Sequence, residues 1–153
     1  MNADSLSSKL NRTEANALVI HCGDYRFQAA FNEFLNRSLN LGTYDLLVIP
    51  GGPLTLMPLD PFPKYRWASW NWLRFFVEQH KLTRLILIQH QDCGFYKAMS
   101  GHLNAPLESL RERQEEDLRR ARDEIARELP HLAVDTYYAG WDSSDRVMIE
   151  PAP

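Results

Sequence analysis

Three short apolar runs, each stopped by polar or glycine-rich residues, confine this chain to a narrow set of folds. Ala17-Leu18-Val19-Ile20-His21 runs into Cys22-Gly23-Asp24, Asp45-Leu46-Leu47-Val48-Ile49 stops at Pro50-Gly51-Gly52-Pro53, and Arg84-Leu85-Ile86-Leu87-Ile88 stops at Gln89-His90-Gln91-Asp92-Cys93-Gly94. Runs of this length bounded by turn signals read as buried strands. After the first, Phe27, Ala30, Phe31, Phe34 and Leu35 recur at helical spacing over about Arg26 to Leu39. Before the third, Trp70, Leu73, Phe76 and Val77 do the same, in a helix expected to end near Lys81-Leu82. A long charged helix is expected from Pro106 to Leu129, with Leu107, Leu110, Leu118, Ala121, Ile125 and Leu129 as its apolar stripe. Leu132 to Tyr138 reads as a fourth strand, Gly140 to Asp145 as a turn, and Arg146 to Ile149 as an antiparallel edge strand. Strand-then-helix units repeated in this way predict an α/β fold: a parallel four-stranded sheet with an antiparallel edge strand and helices on both faces.

Residues 1–16 mix Ser, Asn and charge without a period and read as a polar N-terminal arm, leaving 17–153 as a single α/β domain. A chain of 153 residues is of a size to bury one continuous core. Pro50, Pro53, Pro58, Pro61 and Pro63 crowd the stretch up to about Trp67, where an ordered loop or lid is expected. No apolar run reaches bilayer length, so no membrane partner is expected. The N-terminus lacks the apolar segment of a secretory signal, and the expected location is cytoplasmic. A formal net charge of −3, with Lys and Arg interleaved among Asp and Glu, argues against nucleic acid.

In open parallel sheets, ligands gather at the carboxyl ends of the strands. Cys22, Gly51-Gly52 and His90 with Cys93 all follow strands and so converge there. The chain has two cysteines, and a cytoplasmic setting disfavours a structural disulfide between them. Cys22, His90 and Cys93 together supply two thiolates and an imidazole, the donor set that suits tetrahedral zinc. The fourth position is open to water, which makes a catalytic site, or to Asp24, which makes a closed one. Arg26 is placed to form a fork-like pair with Asp24 and hold it off the metal. The alternatives are two buried cysteines beside an unrelated histidine, and an Asp24–Arg26 ion pair that only caps the first helix. His21 reads as a core or supporting residue. His80, His102 and His131 read as exposed, and nothing in the sequence places His102 as a proton shuttle. Asp92, between two ligands, reads as a loop residue bonding nearby backbone amides. Tyr65, Trp67, Trp70 and Trp72 read as core or dimer interface rather than a substrate tunnel.

Cys-x-Asp-x-Arg after one strand and His-x-x-Cys-Gly after a later one, with a glycine turn between, resembles the β-class carbonic anhydrases over about Ala17 to Ile149. The resemblance implies a zinc-dependent lyase that reversibly hydrates carbon dioxide to bicarbonate, built as a homodimer or higher homo-oligomer. It assigns Cys22, His90 and Cys93 to the metal. Asp24 and Arg26 become a catalytic dyad that orients a zinc-bound hydroxide, and Gly51-Gly52 borders the substrate pocket. The chain departs from the family pattern at Tyr25, where a small hydroxyl residue is usual, and at Ile49-Pro50, where an Arg-Asn step is usual. The long helical arm common in the family is reduced here to a short polar segment. Two other functions fit the same residues: hydrolysis of carbonyl sulfide or carbon disulfide, and a non-catalytic zinc-stabilised binding role with Asp24 in the fourth position.

Overall fold

The computed structural model describes residues 9–58, 63–101 and 106–153. Five strands form one sheet: β1 (Leu18–His21), β2 (Asp45–Val48), β3 (Arg84–His90), β4 (Ala133–Trp141) and β5 (Val147–Pro151), in the order β2-β1-β3-β4-β5. The first four run parallel, and β5 pairs antiparallel with β4. The helices are α1 (Gln28–Glu33), α2 (Pro63–Gln79), α3 (Gly94–Ser100) and α4 (Leu107–Glu128). The α/β fold read from the sequence is therefore the one observed.

Alternation along the strands sorts the core into two layers, because successive strand side chains point to opposite faces. Leu18, Ile20, Leu85 and Leu87 face one side, where Trp70, Leu73 and Val77 of α2 and Leu118, Ala121 and Ile125 of α4 cover them. Val19, Ile86 and Ile88 face the other, covered by Phe27, Phe31 and Leu35. β1 and β3 are buried on both faces, which explains their unbroken apolar runs. β2, at the edge, leaves Leu46 and Val48 exposed.

Several boundaries differ from expectation for identifiable reasons. The proline-rich stretch is not one long loop. Gly52–Leu56 forms a buried 3₁₀ turn, and α2 begins at Pro63, four residues before Trp67. Pro53 and Pro63 sit at helix starts, where the missing N–H has no intrahelical partner to lose. The expected loop position Pro61 lies outside the described residues. The first helix is α-helical only to Glu33, and Phe34–Ser38 widens into a π-turn closed by Leu39 N–H on the Phe34 carbonyl at 2.9 Å. α3 was not anticipated, being short and opened by a glycine. Gly140 is not in a turn: β4 continues to Trp141, and the reversal is built by Asp142, whose Oδ1 accepts from the N–H groups of Ser144 and Arg146. In α4, Leu107 is exposed and Gln114 takes a place in the buried stripe. Ahead of β1, the polar arm is already tied down at Asn16, whose N–H donates to the Thr43 carbonyl at 2.8 Å.

The strand order matters for function. From β1 the chain steps to β2 on one side and then crosses to β3 on the other. β1 and β3 are therefore neighbours whose following segments diverge, which opens a crevice at their carboxyl ends.

Candidate metal centre

Cys22 lies one residue beyond β1, His90 is the last residue of β3, and Cys93 immediately precedes α3. The two strands pair with His21 opposite Ile88, so the three side chains meet across the crevice. Their ligand atoms all lie within 4.8 Å of one another, with the two Sγ atoms 3.9 Å apart. All three residues are buried.

The imidazole of His90 tests whether a metal fits. Its Nδ1 lies 2.8 Å from the carbonyl oxygen of Gln91, and a carbonyl only accepts, so Nδ1 carries the proton. Nε2 is left with a bare lone pair, buried and without a hydrogen-bond partner among the described residues. An unsatisfied buried nitrogen costs about 1–3 kcal/mol, which a metal bond at that lone pair would remove. The donor set agrees: an imidazole held as the right tautomer and two thiols in contact can hold one metal ion.

The thiols are set up unequally. Cys22 Sγ accepts from the Gly51 N–H at 3.3 Å and from the Cys93 thiol. The Cys93 hydrogen bond, more than any other influence, pulls the Cys22 thiol far below the ordinary thiol range, against the opposing effect of burial. Cys93, as the donor, is pushed up by the same bond and by burial. Two thiols in contact at 3.9 Å are a pair that a cation could bind by displacing their protons.

Asp24 and Arg26 stand together beside this set. Arg26 Nε reaches Asp24 Oδ1 at 3.0 Å and Oδ2 at 3.2 Å, Nη2 reaches Oδ2 at 2.7 Å, and the Arg26 N–H donates to Oδ1 at 3.0 Å. The fork from Arg26 holds the Asp24 carboxyl below the usual carboxylate range. The guanidinium lies 5.6 Å from the Trp141 ring centroid, and it borders a 330 Å³ cleft lined by Phe27, Trp141, Asp145 and Val147. A larger groove between α2 and α4 involves none of these residues.

Gly51 and Gly52 both have positive φ, 79° and 51°. A Cβ at Gly52 would sit 2.9 Å from the Cys22 backbone nitrogen, and one at Gly51 would sit 2.5 Å from the Phe95 ring. The double glycine thus lets the turn after β2 press against the backbone of Cys22. Gln89 Nε2 also donates to the Gly51 carbonyl at 3.2 Å.

Other histidines fall where expected or outside view. His21 is buried, with Nδ1 on the Cys22 carbonyl at 2.8 Å, and burial lowers its pKa. His80 and His131 are exposed, and His102 lies outside the described residues. Of the aromatic cluster only Trp70 is core, while Tyr65, Trp67 and Trp72 are exposed. Asp92 differs from expectation: its carboxylate binds Arg26 and Lys97 rather than backbone amides. Sequence reading also passed over Gln114, whose Nε2 donates to the His90 carbonyl at 2.9 Å and whose Oε1 accepts from the Tyr138 hydroxyl at 3.3 Å. A polar residue at a stripe position of an amphipathic helix was the available signal.

No protein-family model matches the chain. In sequence it is similar to an uncharacterized protein of Rickettsia conorii, 26% identical over 135 residues covering 84% of this chain and 69% of that protein. An uncharacterized protein of Rickettsia bellii is 24% identical over 141 residues, 92% of this chain and 85% of that protein. In structure it is similar to a carbonic anhydrase from Glaciozyma antarctica (TM-score 0.51, 15% identity, 81% of this chain and 75% of that chain). It is likewise similar to a β-carbonic anhydrase of Aspergillus fumigatus (TM-score 0.51, 12% identity, 96% and 95%). A third neighbour is reported among two tetrameric β-carbonic anhydrases of Sordaria macrospora (TM-score 0.50, 13% identity, 90% and 81%). The fold is β-carbonic-anhydrase-like. Among the described residues, no helix is long and apolar enough to cross a membrane.

Proposed function

We propose that this chain is a β-class carbonic anhydrase, with zinc held by Cys22, His90 and Cys93 and with Asp24 and Arg26 as its dyad. The observation that carries the reading is the buried, unpartnered Nε2 of His90 facing two thiols, while the neighbouring carboxylate is forked to an arginine. Zinc, when bound there, lowers the pKa of a water and so supplies the nucleophile at neutral pH.

The remaining work falls to the chain. Asp24, kept ionised by Arg26, accepts a hydrogen bond from the attacking water and aims its other lone pair at the carbon of carbon dioxide. Both of its oxygens accept from Arg26, Oδ1 from the N–H and Nε and Oδ2 from Nη2 and Nε, which fixes the plane of the carboxylate. Gly51 and Gly52 border the substrate pocket in this reading, their lack of side chains letting the turn after β2 lie against Cys22. Residues 17–153 act as one zinc-binding domain, in a cytoplasmic protein. A homodimer or higher homo-oligomer is part of the proposal, and the exposed Leu46 and Val48 on the edge strand β2 support it.

Asp24's fork with Arg26 weighs against the closed, non-catalytic zinc protein, in which Asp24 would be the fourth ligand. The test is zinc content together with stopped-flow carbon dioxide hydration from about pH 6.5 to about pH 9, the range in which a metal-acidified water titrates. One zinc per chain, with turnover sharply reduced but still measurable in Asp24→Ala, supports the reading. Zinc without hydration overturns it and turns the search to carbonyl sulfide, carbon disulfide or a binding role.

A further inference from the structure

Asp92 sits between the ligand residues His90 and Cys93, in a turn where its own φ is +55°. A left-handed backbone at a non-glycine residue is mildly unfavourable and persists where side-chain contacts hold it. Here the contacts lead away from the turn. Asp92 Oδ2 accepts from Arg26 Nη1 at 3.0 Å, and the Asp92 carbonyl accepts from Arg26 Nη2 at 3.1 Å. Asp92 Oδ1 accepts from Lys97 Nζ at 2.5 Å, and Lys97 stands one helical turn beyond Cys93, its N–H on the Cys93 carbonyl.

Arg26 is consequently held from two sides. One edge of the guanidinium, Nε and Nη2, faces Asp24, and the adjoining edge, Nη1 and Nη2, faces Asp92. Two carboxylates and two cations make the group neutral as a set, and all four side chains are partly shielded from solvent. Without Asp92 the guanidinium keeps one anchor and can pivot about it, taking Asp24 along. Asp92 is fixed by its chain neighbours, and those neighbours are the ligands.

We propose that Asp92, buttressed by Lys97, is a positioning residue that transmits the geometry of the His90–Cys93 ligand turn to Arg26 and through it to Asp24. The inference rests on the carbonic anhydrase reading for its catalytic consequence and on the ion-pair geometry alone for its structural one. Metal binding at His90 and Cys93 immobilises Asp92, which locks the guanidinium and so sets Asp24. Lone surface ion pairs contribute little, but a bidentate arginine shared between two carboxylates constrains direction as well as distance.

The zinc-loaded full chain carrying Asp92→Asn, which keeps the side-chain shape and tolerates the left-handed backbone, tests this. Two readouts are used: hydrogen exchange of the Arg26 Nε–H by NMR, and carbon dioxide hydration in a double-mutant cycle with Asp24→Ala. Exchange should accelerate several-fold, kcat should fall about tenfold with zinc content and melting temperature retained, and Asp92→Asn should have no further effect once Asp24 is alanine. Unchanged Arg26 exchange, or an equal loss of kcat in the Asp24→Ala background, overturns the proposal. If Asp92→Asn fails to hold zinc, Lys97→Met, which leaves the ligand turn intact, carries the same readouts. A wild-type protein that binds zinc without hydrating carbon dioxide sinks the activity reading, yet the exchange comparison still decides the role of Asp92.

Discussion

The Nδ1–H of His90 is committed to the carbonyl of Gln91 at 2.8 Å, so the other ring nitrogen, enclosed in the core, keeps its lone pair with no hydrogen-bond partner among the described residues. His90→Ala should therefore lose zinc, not merely weaken a contact. In the native chain, zinc at 100 times its dissociation constant should stabilise the fold by about 2.7 kcal/mol, because the ion binds the assembled site and not the separated ligands. Thermal melts of both proteins, with zinc and with chelator, check this: the zinc-induced rise should appear in the native chain and vanish in His90→Ala.

Gly52 and Gly51 should respond differently to alanine. At Gly52 the new Cβ meets backbone, the Cys22 nitrogen at 2.9 Å and the His21 carbonyl carbon at 3.0 Å, with φ at +51°. Backbone cannot move aside without displacing Cys22. At Gly51 the obstacle is the Phe95 ring, a side chain that can rotate away. Gly52→Ala should cost about 1–3 kcal/mol and weaken zinc binding, whereas Gly51→Ala should leave more of the zinc affinity intact. Urea denaturation with zinc titration separates them, and equal effects would contradict the geometry.

How far the sequence could be read is clearest in particular residues. Leu18 and Val19 announce a strand buried on both faces because nothing polar interrupts the run, and the Cys-x-Asp-x-Arg and His-x-x-Cys-Gly spacings single out Cys22, His90 and Cys93, whose side chains the fold brings within 4.8 Å of one another. Gly140 misled, since glycine marks a turn and a close approach alike. Here a Cβ would stand 2.8 Å from Gln91 Oε1, which caps the Trp141 N–H at 3.0 Å, and no local pattern records that. Asp92 misled for the same reason: its partner Arg26 is 66 residues away. Periodicity reports which face a residue occupies, not which distant group waits there.

Gln114 carries a structural burden that its position in α4 conceals. It is buried, donates to the His90 carbonyl and accepts from the Tyr138 hydroxyl. Gln114→Leu keeps the volume but strands both groups, which should cost about 1–3 kcal/mol in chemical denaturation. Combining it with Tyr138→Phe should recover part of that loss, because the hydroxyl then no longer lacks its acceptor. No recovery would mean that the Tyr138 bond contributes little.

Asp117 gives a pH dependence with a definite sign. Burial raises its pKa above the usual carboxylate value, against the opposing hydrogen bond from the Tyr96 hydroxyl at 2.8 Å. The folded state therefore retains a proton that the unfolded chain has released, and stability falls as pH rises from about 3.9 through the folded pKa. Asp117→Asn still accepts from Tyr96 and carries no charge. It should be more stable than the native chain at neutral pH, with the difference shrinking below about pH 4. Denaturation midpoints of the two proteins against pH decide it, and a difference independent of pH would remove Asp117 from the account.

Arg26→Lys separates the charge of the dyad from its shape. A lysine keeps the positive charge near Asp24, yet its single ammonium cannot fork one carboxylate through Nε and Nη2 while holding Asp92 through Nη1. If charge alone mattered, hydration would be almost unchanged. If planar, two-sided holding is what sets Asp24, kcat should fall by about 10- to 100-fold while zinc content and KM for carbon dioxide stay near native, because neither the ligands nor the approach to them has changed. Stopped-flow kinetics on zinc-quantified protein distinguish the cases, and a fall in kcat matched by a fall in zinc content would place Arg26 in metal retention instead.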